Sequence, residues 1–206
     1  MSALNFNSSK FNLPGSVFRG ATKVAAGIDS LLQNIRDAAD VGLHLGAGSV
    51  NLPGMINCDL HDERADRKID ATDLSEFADG SVCLIETHHM IEHLSFSEAL
   101  LALTEWKRAL KPGGLLVITC PDLTAVCKHW LRLIAQRDSE QNRNDIDYAL
   151  KMFFGSQENV GMFHKSGYDA AVMQRTLSKL GFNIKFSHTP YQIRTTPSLL
   201  TIAQRI

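Results

Sequence analysis

Histidines and acids are concentrated in one short stretch of the sequence, and such side chains move protons or bind metals. The stretch reads Glu86-Thr87-His88-His89-Met90-Ile91-Glu92-His93-Leu94. Histidine titrates near neutrality and is therefore suited to taking a proton from a reacting group. His89 and His93 have the i, i+4 spacing of half a zinc site, but the stretch is not HExxH and the sequence places no third ligand beside it. We therefore expect proton chemistry here and no metal.

A glycine loop offers a second chemistry, the binding of a ligand against bare backbone. Gly46-Ala47-Gly48 directly follows an apolar run, and glycines there allow a sharp turn and close approach. The third glycine of a dinucleotide fingerprint is missing, because Asn51 stands in its place. Only residues 49–54 separate the loop from the next apolar run, which is too short for a full phosphate-binding helix. The loop therefore favours a nucleoside without phosphates over NAD or ATP.

Acidic residues follow the next two apolar runs. Asp59 stands at the end of the second run, where an α/β sheet places its ligand crevice, and a carboxylate there can accept both hydrogen bonds of a ribose diol. The alternative is that Asp59 caps a turn before Leu60-His61-Asp62. Because the glycine loop precedes it, we favour ligand binding. Asp70 ends the third run and could accept from the exocyclic amine of adenine, with the backbone of Ala71 alongside.

The pattern between these motifs is one of short strands alternating with helices. Apolar runs predict strands over residues 41–45, 55–58, 82–85, 115–119, 182–186 and 199–206. Helical spacing predicts helices over residues 24–38, 96–110, 123–134 and 168–180. Strands that are apolar throughout and alternate with helices indicate a parallel sheet covered on both faces, while the last two strands are close enough to pair as a hairpin.

Several polar positions are interpreted as boundaries of these elements. Asp122 is predicted to be the N-cap of the helix over 123–134. Thr72 or Asp73 is predicted to begin a helix, since Glu76 follows Asp73 in capping-box spacing. Residues 137–147 are polar and are expected to form an exposed turn between helices.

Length and composition limit the function classes. The 206 residues fit one domain, with an arm and helix over residues 1–40 and the main domain over 41–206. A net charge of -1 gives no support for nucleic-acid binding. No apolar run approaches the roughly 20 residues of a membrane span, and the first residues lack the apolar core of a signal peptide. The 4 cysteines contain no CxxC pair, which favours a reduced, cytoplasmic protein.

Several motifs in order resemble those of class I S-adenosylmethionine-dependent methyltransferases, and most of all the type 11 group associated with small-molecule or glycan methylation. The motifs are Gly46-Ala47-Gly48, Asp59, Asp70-Ala71-Thr72-Asp73-Leu74, and the segments over 79–85 and 110–118. The resemblance implies a doubly wound, Rossmann-like α/β fold, a mostly parallel seven-stranded sheet with a C-terminal antiparallel hairpin, and S-adenosylmethionine at its carboxyl edge. The connection between the first two strands is shorter than in the family, so the usual helix there is expected to be absent or a single turn.

The resemblance also implies roles for individual residues. The cofactor-binding residues would be Gly46, Ala47, Gly48, Asp59, Leu60, Asp70, Ala71 and Thr87. The His-rich stretch would line the methyl end of the cofactor, and the catalytic candidates are His88, Glu92, His93 and His164. A structural role for Glu92, orienting His93, is the alternative. The acceptor would be a small molecule or glycan, and the competing function is a non-catalytic binding subunit that keeps the fold.

The segment over residues 123–167 would overhang the crevice and select the acceptor. It contains aromatic and basic side chains, which would suit a sugar or an anionic small molecule. Trp130 is expected to pack in the core, and the sequence alone assigns no role to Phe153 and Phe154.

Overall fold

A computed structural model describes residues 21–135, 140–193 and 196–206. The strands of these residues are β1 Gly42–Leu45, β2 Ile56–Cys58, β3 Val82–His88, β4 Leu110–Pro121, β5 Phe182–Ile193 and β6 Thr196–Arg205. Their α-helices are α1 Ala21–Asp37, α2 Phe96–Ala109, α3 Leu123–Ala135, α4 Glu140–Phe154 and α5 Ala170–Lys179. Each strand and helix predicted from hydrophobic spacing is present, and β3, β4 and β5 are longer than their apolar runs because hydrogen-bonded pairing continues through polar residues.

The strands form one sheet in the order β2-β1-β3-β4-β6-β5. β1 pairs in parallel with β2 and β3, and β3 pairs in parallel with β4. β6 runs antiparallel to both β4 and β5, so the last two strands form the predicted hairpin. The predicted fold class, a doubly wound and mostly parallel sheet, is confirmed.

A short extended segment occupies the seventh position, beyond β2. Arg67 forms a parallel bridge with Cys58. The Ile69 N–H then donates to the Asp59 carbonyl at 3.3 Å. This pairing continues the parallel sheet and brings Asp70 to the carboxyl end of β2.

Helices cover both faces of the sheet. On the first face, the buried helix residues include Leu103, Trp106, Met173 and Leu177 of α2 and α5. On the second face, they are Ile28, Leu32 and Ile35 of α1. Spacings of three and four residues put these side chains on one face of each helix. The residues between β1 and β2 form turns without a helix, as expected from the short connection.

One polar segment is helical, contrary to the prediction. An exposed turn was expected over residues 137–147, but α4 begins at Glu140. Ala149 of α4 is 1% exposed, and α4 packs against α3. A surface helix needs only one apolar stripe, so the polarity of its outer face does not distinguish it from a turn. The turn prediction is wrong from residue 140 onwards, and residues 136–139 lie outside the described ranges.

The predicted helix start at Thr72 or Asp73 is also wrong. Asp73 Oδ1 accepts the Ser75 N–H at 2.9 Å within a local turn. Glu76 pairs with Arg67 at 3.1 Å instead of closing a capping box. An aspartate caps turns and helices with the same hydrogen bond, so the spacing alone did not decide between them.

Two further predictions concern the start of α3 and the N-terminal arm. Asp122 Oδ1 accepts the Ala125 N–H at 3.2 Å, which confirms its role as the cap of α3. The predicted arm over residues 1–19 lies outside the described part of the chain. Within that part, each helix is too short or too polar to cross a lipid bilayer.

Candidate functional site

The candidate site lies at the carboxyl ends of β1, β2 and β3. Gly46 and Gly48 leave β1 with φ of 68° and 51°, the left-handed region that glycine enters without strain. The Ala47 N–H donates to the Cys58 carbonyl at 3.0 Å. The Gly48 N–H donates to Asp59 Oδ2 at 2.8 Å. The glycine loop therefore folds over the end of β2, and its backbone forms one side of a crevice.

Asp59 is both a turn cap and the acid nearest to the glycine loop. Its Oδ1 accepts the N–H groups of His61 and Asp62 at 2.8 and 2.9 Å. In the described part of the chain, its Oδ2 accepts the Gly48 N–H alone. A carboxylate has about four lone-pair positions, so one position on Oδ2 is left for a ligand hydroxyl. The two interpretations of Asp59 are therefore compatible. Leu60, which follows Asp59 directly, is 39% exposed.

Asp70 lies beside Asp59 and is exposed to solvent. The described hydrogen bonds to its carboxylate reach Oδ1, from the Thr72 N–H at 2.8 Å and the Thr72 hydroxyl at 2.7 Å. The Trp106 indole N–H donates to the Ala71 carbonyl at 2.7 Å and fixes this segment against α2. Asp70 Oδ2 is thus available at the edge of the crevice.

Thr87 and Met90 lie where β3 ends, next to β1 and the glycine loop. Thr87 pairs with Leu45 across the sheet, and its buried hydroxyl has no hydrogen-bond partner among the described residues. The Met90 side chain covers Gly46, because a Cβ built on that glycine would lie 2.7 Å from Met90 Cβ. The His93 N–H donates to the Met90 carbonyl at 2.9 Å. Met90, itself part of the His-rich stretch, therefore packs that stretch against the glycine loop.

These features fit an adenosine that carries no phosphate. A Cβ built on Gly48 would meet no described atom within 4 Å, so the loop is open on that side. With respect to residues 21–135, 140–193 and 196–206, Asp59 and Asp70 each keep an acceptor oxygen, and the Thr87 hydroxyl has no partner. A nucleoside has the hydroxyl and amine groups that such positions bind.

His88 belongs to a buried ion-pair network. Arg36 donates to Glu86 through Nε at 2.8 Å and Nη2 at 2.5 Å. His88 Nε2 lies 2.6 Å from Glu86 Oε1, and its Nδ1 lies 2.9 Å from the Thr119 hydroxyl. Burial alone would raise the pKa of Glu86, but the hydrogen bonds from His88 and Arg36 hold that pKa at about 2. Both ring nitrogens of His88 are thus used within this network, under α1.

The other three predicted catalytic residues, Glu92, His93 and His164, lie together beyond Met90. Each offers one ligand atom, and these atoms lie within 4.8 Å of one another. The imidazole rings of His93 and His164 meet edge to face with centroids 4.8 Å apart. Glu92 is 1% exposed, and its carboxylate oxygens have no hydrogen-bond partner among the described residues. His89 Nδ1 approaches Glu92 Oε1 at 3.3 Å without hydrogen-bond geometry.

Hydrogen bonds to backbone carbonyls fix the protonated nitrogen of both histidines. His93 Nδ1 lies 3.2 Å from the Phe163 carbonyl, and His164 Nδ1 lies 2.9 Å from the Met152 carbonyl. A carbonyl only accepts, so each Nδ1 donates and each Nε2 keeps its lone pair in the neutral ring. Burial lowers the pKa of His164 by more than the nearby Glu92 raises it, and the lowered pKa favours the neutral ring. The cluster thus combines two nitrogen lone pairs with a buried carboxylate.

Gly155 positions His164 within this cluster. Its φ of 79° reverses the chain after α4, and it forms an antiparallel bridge with Phe163. The His164 N–H then donates to the Phe154 carbonyl at 3.1 Å. A Cβ at residue 155 would overlap the Met162 carbonyl. Only glycine therefore fits this reversal.

We expect Gly155→Ala to lower the free energy of unfolding by about 2–4 kcal/mol, because a left-handed alanine and an overlap with backbone add their costs. Urea denaturation followed by circular dichroism measures this loss. Gly113→Ala is the matched control, since Gly113 also has φ of 79° but a Cβ there would make only an ordinary contact at 3.8 Å. Equal losses in the two variants would contradict the proposed role of Gly155.

A cavity of about 300 Å³ opens beside the cluster. Glu92 and His164 form part of its wall, together with the rings of Phe153 and Phe154. Trp130 of α3 packs edge to face on Phe153 with ring centroids 6.2 Å apart. Trp130 is half-buried between the two helices, whereas the sequence had placed it in the core. The aromatic residues whose role was open thus line a cavity next to the histidines.

Sequence reasoning missed four residues that shape the site: Arg36, Glu86, His89 and Gly155. Glu86 was detectable as a charged residue next to an apolar run, since a charge there needs a partner. Arg36, on the last turn of an amphipathic helix, gave no sign of which acid it meets. His89 has φ of 50°, which no sequence pattern indicates.

Comparison with known proteins agrees with this geometry. The family described as a methyltransferase domain matches residues 43–118, from β1 into β4. The structure is similar to an S-adenosylmethionine-dependent methyltransferase from Methanosarcina mazei, with a TM-score of 0.59 and 16% identity over 85% of this chain and 97% of that chain. The chain has the fold of these methyltransferases, and residues 43–118 match the methyltransferase-domain family. No curated protein matches the sequence.

Two further methyltransferases have a similar fold. One is an S-adenosylmethionine-dependent methyltransferase from Archaeoglobus fulgidus, with a TM-score of 0.57 and 15% identity over 90% of this chain and 95% of that chain. The other is the magnesium protoporphyrin IX methyltransferase from Synechocystis PCC 6803 with bound SAH, with a TM-score of 0.55 and 12% identity over 90% of this chain and 86% of that chain. The predicted family, and S-adenosylmethionine as the cofactor of that family, are confirmed.

Proposed function

We propose that this chain transfers the methyl group of S-adenosylmethionine to a hydroxyl of a small molecule or glycan. The observation that carries the proposal is the glycine loop held on Asp59. The Gly48 N–H donates to Asp59 Oδ2 at 2.8 Å, and an acceptor position stays available on the same oxygen. This arrangement places exposed backbone next to a carboxylate. A nucleoside without phosphates could pack against the backbone and donate a ribose hydroxyl to the carboxylate.

The cofactor would lie across the carboxyl ends of β1, β2 and β3. Asp59 Oδ2 would accept from a ribose hydroxyl, and Asp70 Oδ2 would accept from the adenine amine, with the backbone of Leu60 and Ala71 alongside. Gly46, Ala47 and Gly48 would contact the remainder through their backbone, and Thr87 would offer its hydroxyl. S-adenosylmethionine supplies an activated methyl group on a sulfonium sulfur.

The acceptor would enter from the cavity beside Glu92 and His164. Met90 packs on Gly46 and accepts the His93 N–H, so the acceptor hydroxyl and the cofactor would meet near Met90. The lone pairs of His93 and His164 would face the hydroxyl that must lose its proton. The rings of Phe153 and Phe154 would exclude water and contact the body of the acceptor. His88 would act at a distance, through Glu86.

Asp59→Asn tests the proposed cofactor site. The substitution keeps the size of the side chain but removes the charge from the oxygen that faces the ribose. A hydrogen bond to a charged group contributes about 1.5–3 kcal/mol, so we expect the Kd for S-adenosylmethionine and for its demethylated product to rise about 10- to 100-fold. Isothermal titration calorimetry measures both constants.

Asp79→Asn is the control for this experiment. Asp79 is exposed and pairs with Arg108 at 2.6 Å, and the substitution is chemically identical. We expect it to leave both constants unchanged. No heat with either ligand for the wild-type chain would reject the proposed function. Binding of both ligands without methyl transfer to any hydroxylated acceptor would favour a non-catalytic binding subunit instead.

We further infer that the protein works in a reducing compartment such as the cytoplasm. All four cysteines are free in the structure, and Cys58, Cys83 and Cys120 are buried. Burial raises the pKa of Cys58 to about 12, which keeps that thiol protonated and unreactive.

A further inference from the structure

We propose that Glu92, His93 and His164 bind a divalent transition-metal ion at the wall of the cavity. The ion would hold the oxygen of the methyl acceptor, and this second part rests on the proposed function. The sequence predicts no metal here, because its half-site spacing pairs His93 with His89 and His164 lies far away along the chain. The structure instead brings His164 beside His93, with their ligand atoms and that of Glu92 within 4.8 Å.

The donor set favours a transition metal. Two imidazole nitrogens and one carboxylate are the ligands of catalytic zinc sites, and the same set also suits iron and other first-row ions. Magnesium and calcium prefer oxygen ligands and are therefore poor candidates. Three protein ligands leave at least one coordination position open, which distinguishes a reactive site from a closed structural one.

Both histidines are held in the manner of metal ligands. A ligating histidine usually donates its second ring N–H to a carbonyl or carboxylate, which fixes the tautomer and the ring orientation. His93 Nδ1 does so to the Phe163 carbonyl at 3.2 Å, and His164 Nδ1 does so to the Met152 carbonyl at 2.9 Å. Each Nε2 is therefore left as the ligand atom.

Glu92 supplies an independent indication. The residue is 1% exposed, and its two carboxylate oxygens lack a hydrogen-bond partner among the described residues. A buried carboxylate without a partner is costly, and buried charges are normally paired or bound to metals. His89 is the nearest charged or titratable neighbour, but its Nδ1 lies 3.3 Å from Oε1 outside hydrogen-bond geometry, while its Nε2 lies 2.9 Å from the Ser198 hydroxyl. A cation between Glu92 and the two histidines would satisfy the carboxylate.

The distances require only a small adjustment. In a tetrahedral site, metal bonds of about 2.0–2.2 Å place two ligand atoms about 3.5 Å apart, whereas the ligand atoms here lie within 4.8 Å of one another. Movements of less than about 1 Å by each side chain close the difference. The rings of His93 and His164 are only half-buried, which leaves them room to move.

The open position would face the aromatic cavity of about 300 Å³. An acceptor with an apolar or aromatic body and a hydroxyl group fits both features. With the lone pairs of His93 and His164 used as ligands, the metal would take over their role in deprotonation: coordination would lower the pKa of the hydroxyl, and its proton would leave to water near neutral pH. The acceptor oxygen would then form a bond to the methyl carbon, the bond from that carbon to sulfur would break, and the electron pair would stay on sulfur.

Metal titration tests this inference without any methyl acceptor. The full chain is treated with a chelator, dialysed, and titrated with Co²⁺ and Zn²⁺ by absorption spectroscopy and calorimetry. We expect one equivalent to bind with a Kd in the micromolar range or below, Co²⁺ to develop visible absorption bands, and excess Zn²⁺ to raise Tm by several degrees. We expect Glu92→Gln and His93→Gln to weaken binding at least 10-fold, and His129→Gln, a histidine outside the cluster, to leave it unchanged.

Circular dichroism confirms that each variant is folded, and the wild-type titration alone remains informative if Glu92→Gln does not fold. Absence of binding to the wild-type chain at millimolar metal would overturn the inference, as would equal binding by the wild type and folded His93→Gln. Because S-adenosylmethionine binding is measured separately, a failed metal titration with intact cofactor binding rejects the metal site alone.

Discussion

Replacing Glu86 by glutamine should lower the free energy of unfolding by about 3–5 kcal/mol, the usual cost of removing one partner from a buried ion pair. The side chain of Glu86 is 1% exposed and that of Arg36 is 13% exposed, so the guanidinium would lose the charge of Glu86 while staying largely out of water. The hydrogen bond from His88 would also lose its charged acceptor. Chemical denaturation followed by circular dichroism measures the loss.

Glu76→Gln is the control, because its ion pair with Arg67 has side chains 47% and 56% exposed. Surface pairs contribute less than about 1 kcal/mol, so this variant should behave as the wild type. The double substitution Arg36→Met with Glu86→Gln should recover part of the loss, since it leaves no unpaired charge. If Glu86→Gln costs no more than Glu76→Gln, the buried pair does not stabilise the fold.

The Glu86 carboxylate also makes the free energy of unfolding depend on pH. Its pKa is held at about 2 in the folded chain, below its ordinary value of 4.5. The stabilisation is therefore complete above about pH 4.5 and is lost as pH falls towards 2. In Glu86→Gln this part of the acid dependence should be missing.

Gly46→Ala should weaken S-adenosylmethionine binding about 100-fold. Alanine at φ of 68° is strained, and its Cβ would lie within 2.7 Å of Met90 Cβ. Strain and overpacking each cost about 1–3 kcal/mol. The loop relieves both only by moving away from Met90, which separates it from Asp59 and from the stretch that carries Glu92 and His93. Calorimetry with S-adenosylmethionine measures the effect.

Gly54→Ala separates strain from overlap. Gly54 has φ of 78°, and a Cβ there would meet no described atom within 4 Å. We expect this variant to lose some stability but to bind the cofactor within about threefold of the wild type. Wild-type affinity in folded Gly46→Ala would show that the contact with Met90 does not shape the cofactor site.

The fold was predictable because its signals are local. Each buried strand is a short apolar run, and each helix shows one apolar face, as in Ile28, Leu32 and Ile35. The order of the motifs then placed the glycine loop beside Asp59. The errors arose where one local pattern permits two structures, as with Asp73, whose carboxylate caps a turn where a helix was expected.

The partners within the candidate site were less predictable, because they meet through long-range packing. His164 reaches His93 because Gly155 reverses the chain after α4, and no local pattern indicates which residues pair across that reversal. The sequence does not distinguish the role of His88 from that of the neighbouring histidines. The His88 side chain is held by Glu86, two residues earlier on the same face of β3, and the Glu86 carboxylate pairs with Arg36 of α1.

The position of β6 has a consequence for how the chain folds. β6 lies between β4 and β5, with Leu115 opposite Gln204 and Ile184 opposite Ala203. β5 and β6 pair as a hairpin, but until that hairpin docks, the edge of β4 is unpaired and capable of pairing with other chains. The contacts between β4 and β6 are distant in sequence and form slowly. Folding intermediates of this protein should therefore aggregate readily, and their lifetime should be set by the docking of the hairpin on β4.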